Sequence, residues 1–75
     1  MSQQFGRWLA SQMDRHEWTQ ADLARRLSAS TGAVSMWLRG ERTPSPASCE
    51  KIADVLHVDP DLVLALAGHR PATEP

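Results

Sequence analysis

The stretch that decides the fold reads TQADLARRLSASTGAVSMWLRGERTP and begins at Thr19. Its first part predicts a helix over residues 20–27, because Thr19 is a favourable N-cap and the two leucines of LARRL share one helical face. Its second part predicts a helix that Ser30 or Thr31 caps and that Gly40 ends, since glycine readily adopts the left-handed conformation at a C-cap. The residues between them suffice only for a tight turn. The stretch therefore predicts two helices joined by a short turn.

Three further helices are predicted around this pair. Ahead of it, apolar residues recur at helical spacing over residues 3–16. Behind it, Ser45 followed by proline is a strong start signal for a helix that runs to about His57. A fifth helix begins at Asp59, again followed by proline, and Gly68 closes it. The predicted fold class is all-α, a five-helix domain.

Length and composition bound the number and type of domains. The 75 residues are enough for one small domain, predicted over residues 1–68, with a flexible C-terminal tail over 69–75 that contains two prolines. The single cysteine, Cys49, has no partner for an internal disulfide, and no cysteine–histidine cluster has zinc-site spacing. The longest apolar run, residues 62–67, is too short to span a bilayer. We therefore expect a cytoplasmic protein.

The net charge of −1 argues at first against a nucleic-acid partner, since such proteins are expected to be basic. The charge is unevenly distributed along the chain, however. Residues 19–45 carry +2, from four arginines against two acids, whereas residues 46–75 carry −3. The basic part thus coincides with the predicted helix pair.

The helix pair, together with IADVLHVD at residues 52–59, resembles the lambda-repressor/Cro-like helix-turn-helix family, often called XRE-type. The resemblance covers about residues 5–67. It implies a lambda-repressor-like fold and a transcriptional regulator that binds double-stranded operator DNA as a dimer, with helix three (about 31–39) in the major groove. Ser28 departs from the glycine common between helices two and three, and Gly32 stands where a longer polar side chain is usual. Direct reading of bases is therefore expected to be sparse, and DNA shape or contacts from a partner more important.

Candidate DNA contacts come from this resemblance and from the outward side of helix three. Gln20 matches a phosphate-anchoring glutamine, and helix N-termini offer unpaired N–H groups to phosphate. Arg39 has the donors to read guanine bidentately, and Met36 can touch a thymine methyl group. An ordinary solvated charge near a helix C-terminus is the alternative for the arginines. The complete predicted set is Gln20, Ser30, Thr31, Gly32, Ser35, Met36, Arg39, Arg42 and Thr43.

Helix five is predicted to be apolar all round, which a short surface helix does not need. We therefore expect a homodimer formed through Leu62, Leu64 and Leu66, although a small protein also tolerates a singly exposed leucine. The apolar helix, the net charge and the glycine in helix three leave open a second function, in which the fold serves as a protein–protein interaction module. Enzymatic activity is not expected, because Cys49 lies on a buried stripe. No cofactor or metal is predicted.

Overall fold

The computed structural model describes residues 3–69, and the regular structure in that range is entirely helical. The elements are α1 (Gln3–His16), α2 (Gln20–Leu27), α3 (Thr31–Arg39), α4 (Pro46–Leu56) and α5 (Pro60–Leu66). The predicted all-α class with five helices is confirmed. Most of the predicted tail, residues 70–75, lies outside the described residues.

The helix starts follow the chemistry of their caps. At α2 the Thr19 hydroxyl accepts from the Asp22 N–H at 3.1 Å, and the Asp22 carboxylate accepts from the Thr19 N–H at 2.9 Å, a complete capping box. Ser30, rather than its neighbour, caps α3 by accepting from the Ala33 N–H at 3.1 Å. Serine and aspartate side chains cap α4 and α5 in the same way.

Three helix ends are closed by residues other than glycine in the left-handed region, namely Glu17 after α1, Ser28 and His57. His57, with φ 60°, ends α4 one residue earlier than predicted. Ser28, with φ 56°, ends α2, and the next N–H, that of Ala29, donates to the Ala24 carbonyl at 2.9 Å. Ser28 therefore reproduces the turn that a glycine usually makes, at a conformational cost of about 1 kcal/mol.

Every helix contributes apolar side chains to one core. Its largest fully buried members include Phe5, Leu9, Leu23, Val34, Ile52 and Val63. Helix α1 crosses the C-terminal end of α3 at Gly6, where a Cβ atom would lie 2.7 Å from the Leu38 carbonyl oxygen and 2.9 Å from that of Trp37. Only glycine allows this approach without moving a backbone. The crossing fixes α3 in the domain.

Helix α5 does not expose its apolar residues evenly. Val63 and Leu64 are buried, at 0% and 5% exposure, because α5 packs against α4. The prediction that Leu64 contributes to a dimer interface is therefore wrong, since its side chain belongs to the core of the protomer itself. Leu62 remains 45% exposed, and Leu66 is half-buried.

The last described residue, His69, is tied to the loop after α3. Its N–H donates to the Leu64 carbonyl at 2.8 Å, and its ring Nε2 donates to the Pro44 carbonyl at 2.7 Å. Pro44 itself is fully buried. The end of α5 thus braces the loop that carries Arg42 and Thr43.

Candidate nucleic-acid interface

The first turn of α3 is open to solvent. Ser30, Thr31 and Gly32 are all exposed, while Val34 and Trp37 face the core. The Ser30 cap satisfies one N–H of this turn, and a helix offers no internal acceptor to the N–H groups that precede it. These groups and the positive end of the helix dipole suit an anionic ligand such as a phosphate.

Gly32 has no reason within its own chain to be glycine. A Cβ atom there would meet only the Ser30 hydroxyl, at 3.9 Å, in ordinary contact. The residue is helical and does not have a positive φ. The missing side chain therefore leaves room on the outer surface, in contrast to Gly6, where the room is filled by the backbone of α3.

The start of α2 is neutral at its exposed first residue, Gln20. The acid nearby, Asp22, forms an ion pair with Arg25. Hydrogen bonds from Thr19, and then the charge of Arg25, hold the pKa of the Asp22 carboxyl below its usual range. With the charge of Asp22 balanced by Arg25, Gln20 presents a neutral amide at the start of α2.

A side-chain cluster of Ser35, Arg39 and Glu41 lies at the C-terminal end of α3. The Arg39 Nε and Nη2 atoms donate to the two Glu41 carboxylate oxygens at 3.0 and 3.1 Å. The Arg39 Nη1 atom donates to the Ser35 hydroxyl at 2.8 Å. The Glu41 contacts raise the pKa of Arg39 and lower that of Glu41. The cluster is at the surface, with 56% of each charged side chain exposed.

Sequence reasoning placed Ser35 and Arg39 on the outward face but missed Glu41, the ion-pair partner of Arg39. The available signal was Gly40, whose left-handed conformation at φ 77° turns the chain back toward α3. Two residues beyond the arginine, a carboxylate can then reach the guanidinium.

The remaining predicted contacts differ in how accessible they are. Arg42 is exposed, and its side chain forms no hydrogen bond or ion pair with residues 3–69. Met36 and Thr43 are half-buried, so each presents only part of its side chain.

The four arginines of the basic region are in three kinds of environment. Arg25 and Arg39 are paired with acids, and Arg26 lies 4.3 Å above the ring of Trp18. A cation–π contact leaves the positive charge in place. The local charge of +2 therefore resides on Arg26 and Arg42.

Other kinds of site find little support in the described part of the chain. Cys49 is fully buried, and burial, followed by the charge of Glu50, raises the pKa of its thiol to about 11, far from a reactive thiolate. Residues 3–69 contain no group of three or more potential metal ligands. None of the five helices is long and apolar enough to cross a membrane.

Comparison with known proteins agrees with the geometry. A family model described as Helix-turn-helix matches residues 9–63, most of the chain and all of α2 to α4. No curated protein and no solved structure matches the chain. The matched segment includes the open first turn of α3 and the loop after it. The chain therefore belongs to the XRE/lambda-repressor-like helix-turn-helix family of DNA-binding transcriptional regulators.

Proposed function

We propose that the protein binds specific sequences of double-stranded DNA with α3 in the major groove. The observation that carries this proposal is the open first turn of α3, where neutral exposed residues, free N–H groups and a glycine lie together. A helix of this diameter fits the major groove of B-DNA. The family supports DNA binding in general, and the geometry of this turn supports the choice of α3.

The proposed contacts are of two kinds: those to phosphates, which position the protein on the DNA, and those to base edges, which read the sequence. Phosphates are held by the Gln20 amide, the Arg42 guanidinium and the Thr43 hydroxyl, together with the N–H groups of the α3 first turn. Base edges are met by four side chains of α3, with Gly32 allowing close approach. Those four are Thr31, Ser35, Met36 and Arg39. Ser30, as the cap of α3, holds the turn in shape.

Short side chains make direct reading sparse. The first turn of α3 offers a hydroxyl, a methyl group and a glycine, which together distinguish few base patterns. DNA deformability and groove shape therefore contribute much of the selectivity.

A salt titration of binding to duplex DNA tests the proposal. Arg42 is the one cation among the proposed phosphate contacts, and Arg26 carries the rest of the local charge. We therefore expect log Kd to vary linearly with log salt with a shallow slope, between about one and two per protomer. Arg42→Gln should lower that slope by about 0.9. Arg7→Gln removes the same charge from an exposed position of α1 and should leave the slope unchanged. Absence of binding at low salt would contradict DNA recognition.

The protein is further proposed to act as a homodimer through Leu62 and Leu66. Leu62 borders a groove of about 480 Å³ that α1, α4 and α5 line, with Trp8 and Val58 among the apolar residues in it. A chain of this size gains stability from a partner. Two α3 helices would then meet successive major grooves about 34–36 Å apart and favour a near-palindromic site.

Sedimentation of a matched pair of variants tests the dimer. Leu62→Glu should give a folded monomer, since the side chain is already 45% exposed. Ala10→Glu places the same charge on an exposed position of α1 and should leave the dimer intact. A wild-type chain that stays monomeric at high concentration would contradict the proposal.

The same groove favours the second candidate function, a protein–protein interaction module. In that case a partner of another sequence covers Leu62, and no duplex is bound at any salt concentration. The salt titration and the Leu62→Glu variant together separate the two functions. Loss of partner binding without any DNA binding would establish the module.

The proposed place of action is the cytoplasm. A regulator of this family must reach DNA, and a buried, unpaired Cys49 is suited to a reducing compartment. Fractionation of cells that produce the protein tests this expectation. Recovery mainly in a membrane or exported fraction would contradict it.

A further inference from the structure

We propose that Glu41 is a specificity-determining residue of the DNA interface, because it turns Arg39 from a phosphate-binding cation into a reader of paired base acceptors. The inference rests on the proposed function. It begins from the two hydrogen bonds that join the Glu41 carboxylate to the Arg39 guanidinium.

A count of donors shows what Arg39 retains. A guanidinium carries five N–H groups, and three of them are used, two by Glu41 and one by Ser35. The two that remain are on Nη1 and Nη2, one on each. Two neighbouring N–H groups are what the O6 and N7 acceptors of guanine require.

Although Arg39 keeps two free donors, its positive charge is balanced by Glu41. The carboxylate neutralises the guanidinium locally, so a phosphate gains little attraction from it. If a phosphate displaced Glu41, a second negative charge would be left unpaired beside the DNA. Neutral acceptors on a base edge impose no such penalty. The pair therefore disfavours non-sequence-specific contact more than it disfavours reading of a guanine.

The backbone holds Glu41 in reach of Arg39. The Gly40 N–H donates to the Trp37 carbonyl at 3.2 Å, and the Glu41 N–H donates to the Met36 carbonyl at 3.0 Å. From the other side, the Ser35 hydroxyl lies one helical turn before Arg39 and accepts from it. Arg39 is thus oriented from two directions before any DNA arrives, which reduces the ordering that binding would otherwise require.

The location of the pair makes the inference testable without unfolding the protein. Both charged side chains are 56% exposed, and exposed ion pairs contribute little to folding. Glu41→Gln should therefore fold normally. Glu50→Gln is the matched control, because Glu50 is exposed on α4 and lies beside Pro60 at the start of α5.

The experiment compares wild type, Glu41→Gln and Glu50→Gln on two duplexes over a range of salt concentrations. One duplex has mixed sequence, and the other is selected by the wild-type protein from a random pool. For Glu41→Gln we expect affinity for the mixed duplex to rise roughly two- to five-fold at low salt. The log–log salt slope should steepen by about 0.9. Affinity for the selected duplex should change less, so the ratio between the two duplexes falls. Glu50→Gln should match the wild type.

The outcomes that contradict the inference differ from those that contradict DNA binding. If the wild type binds DNA and Glu41→Gln keeps its slope and its ratio, Glu41 does not control Arg39. If Glu41→Gln raises affinity for both duplexes equally, the residue is a general repulsive charge and not a specificity determinant. A wild-type chain that binds neither duplex overturns the proposed function and, with it, this inference.

Discussion

The inward face of α3 carries Val34 and Trp37, at 0% and 7% exposure, whereas the outward face carries Thr31 and Gly32, both open to solvent. Side chains on the inward face pack in a dense core, where adding or removing even one methylene group changes the stability of the protein. On the second face, Thr31 and Gly32 meet water. The same nine-residue helix therefore separates the residues that fold the protein from those proposed to bind DNA. Substitutions on the inward face should change the free energy of unfolding, whereas substitutions on the outward face should change the affinity for DNA.

The largest expected effect is at the crossing of α1 over the inward side of α3. Gly6→Ala would place a methyl group 2.7 Å from the Leu38 carbonyl oxygen. The expected loss is about 2–3 kcal/mol in the free energy of unfolding, since a backbone must move to make room. Urea denaturation measures it. An unchanged unfolding midpoint would show that the two helices do not approach this closely.

The same substitution on the outward face should do the opposite to folding. Gly32→Ala meets no obstacle in the chain and gains helix propensity, so stability should rise by about 0.5–1 kcal/mol. If DNA approaches this turn closely, its affinity should fall roughly five-fold or more, since a methyl group would overpack the contact. Denaturation and a duplex titration on one sample measure both. Unchanged affinity would remove Gly32 from the interface.

A smaller effect is expected at Ser28, in the turn that joins α2 to α3. Ser28→Gly relieves the left-handed strain at φ 56°, with a net gain of about 0.5 kcal/mol after the greater flexibility of unfolded glycine is counted. Ser28→Ala is the control, since alanine carries the same strain. A Ser28→Gly protein no more stable than Ser28→Ala would contradict the account of this turn.

The smallest effect is a pH dependence at the start of α2. Folding lowers the pKa of Asp22 from 3.8, so its contribution to stability is present above that pH and is lost as pH falls through the folded value. The stability difference between wild type and Asp22→Asn should therefore shrink below pH 4. Thermal melts at several pH values measure it. A difference that stays constant to pH 2 would contradict the assigned cause.

Much of the fold could be predicted because helix ends are decided locally. A cap needs only a hydroxyl or carboxylate within three residues of an N–H, and Thr19, Ser45 and Asp59 all cap as expected. Gly40 ends α3 for an equally local reason. The order and number of helices follow from these signals together with apolar spacing.

Two features could not be predicted, because they depend on contacts across the chain. Helix α5 is apolar on every side, so its sequence does not show which leucine faces α4, and Leu64 was assigned to the wrong surface. The pairing of Arg39 with Glu41 depends on the direction in which the chain leaves Gly40. Net charge alone gave no sign that half of the central arginines are neutralised.

The contacts of the Trp18 ring make its fluorescence sensitive to the position of its neighbours. The indole stacks on the His16 ring, with 4.4 Å between centroids, and lies under the Arg26 guanidinium. Indole emission responds to a neighbouring cation and imidazole. Arg26 carries part of the net positive charge of residues 19–45, so a ligand that draws its side chain away should alter Trp18 emission. Comparison with a Trp18→Phe variant, which keeps Trp8 and Trp37, isolates this signal and allows binding to be followed by intrinsic fluorescence without a label.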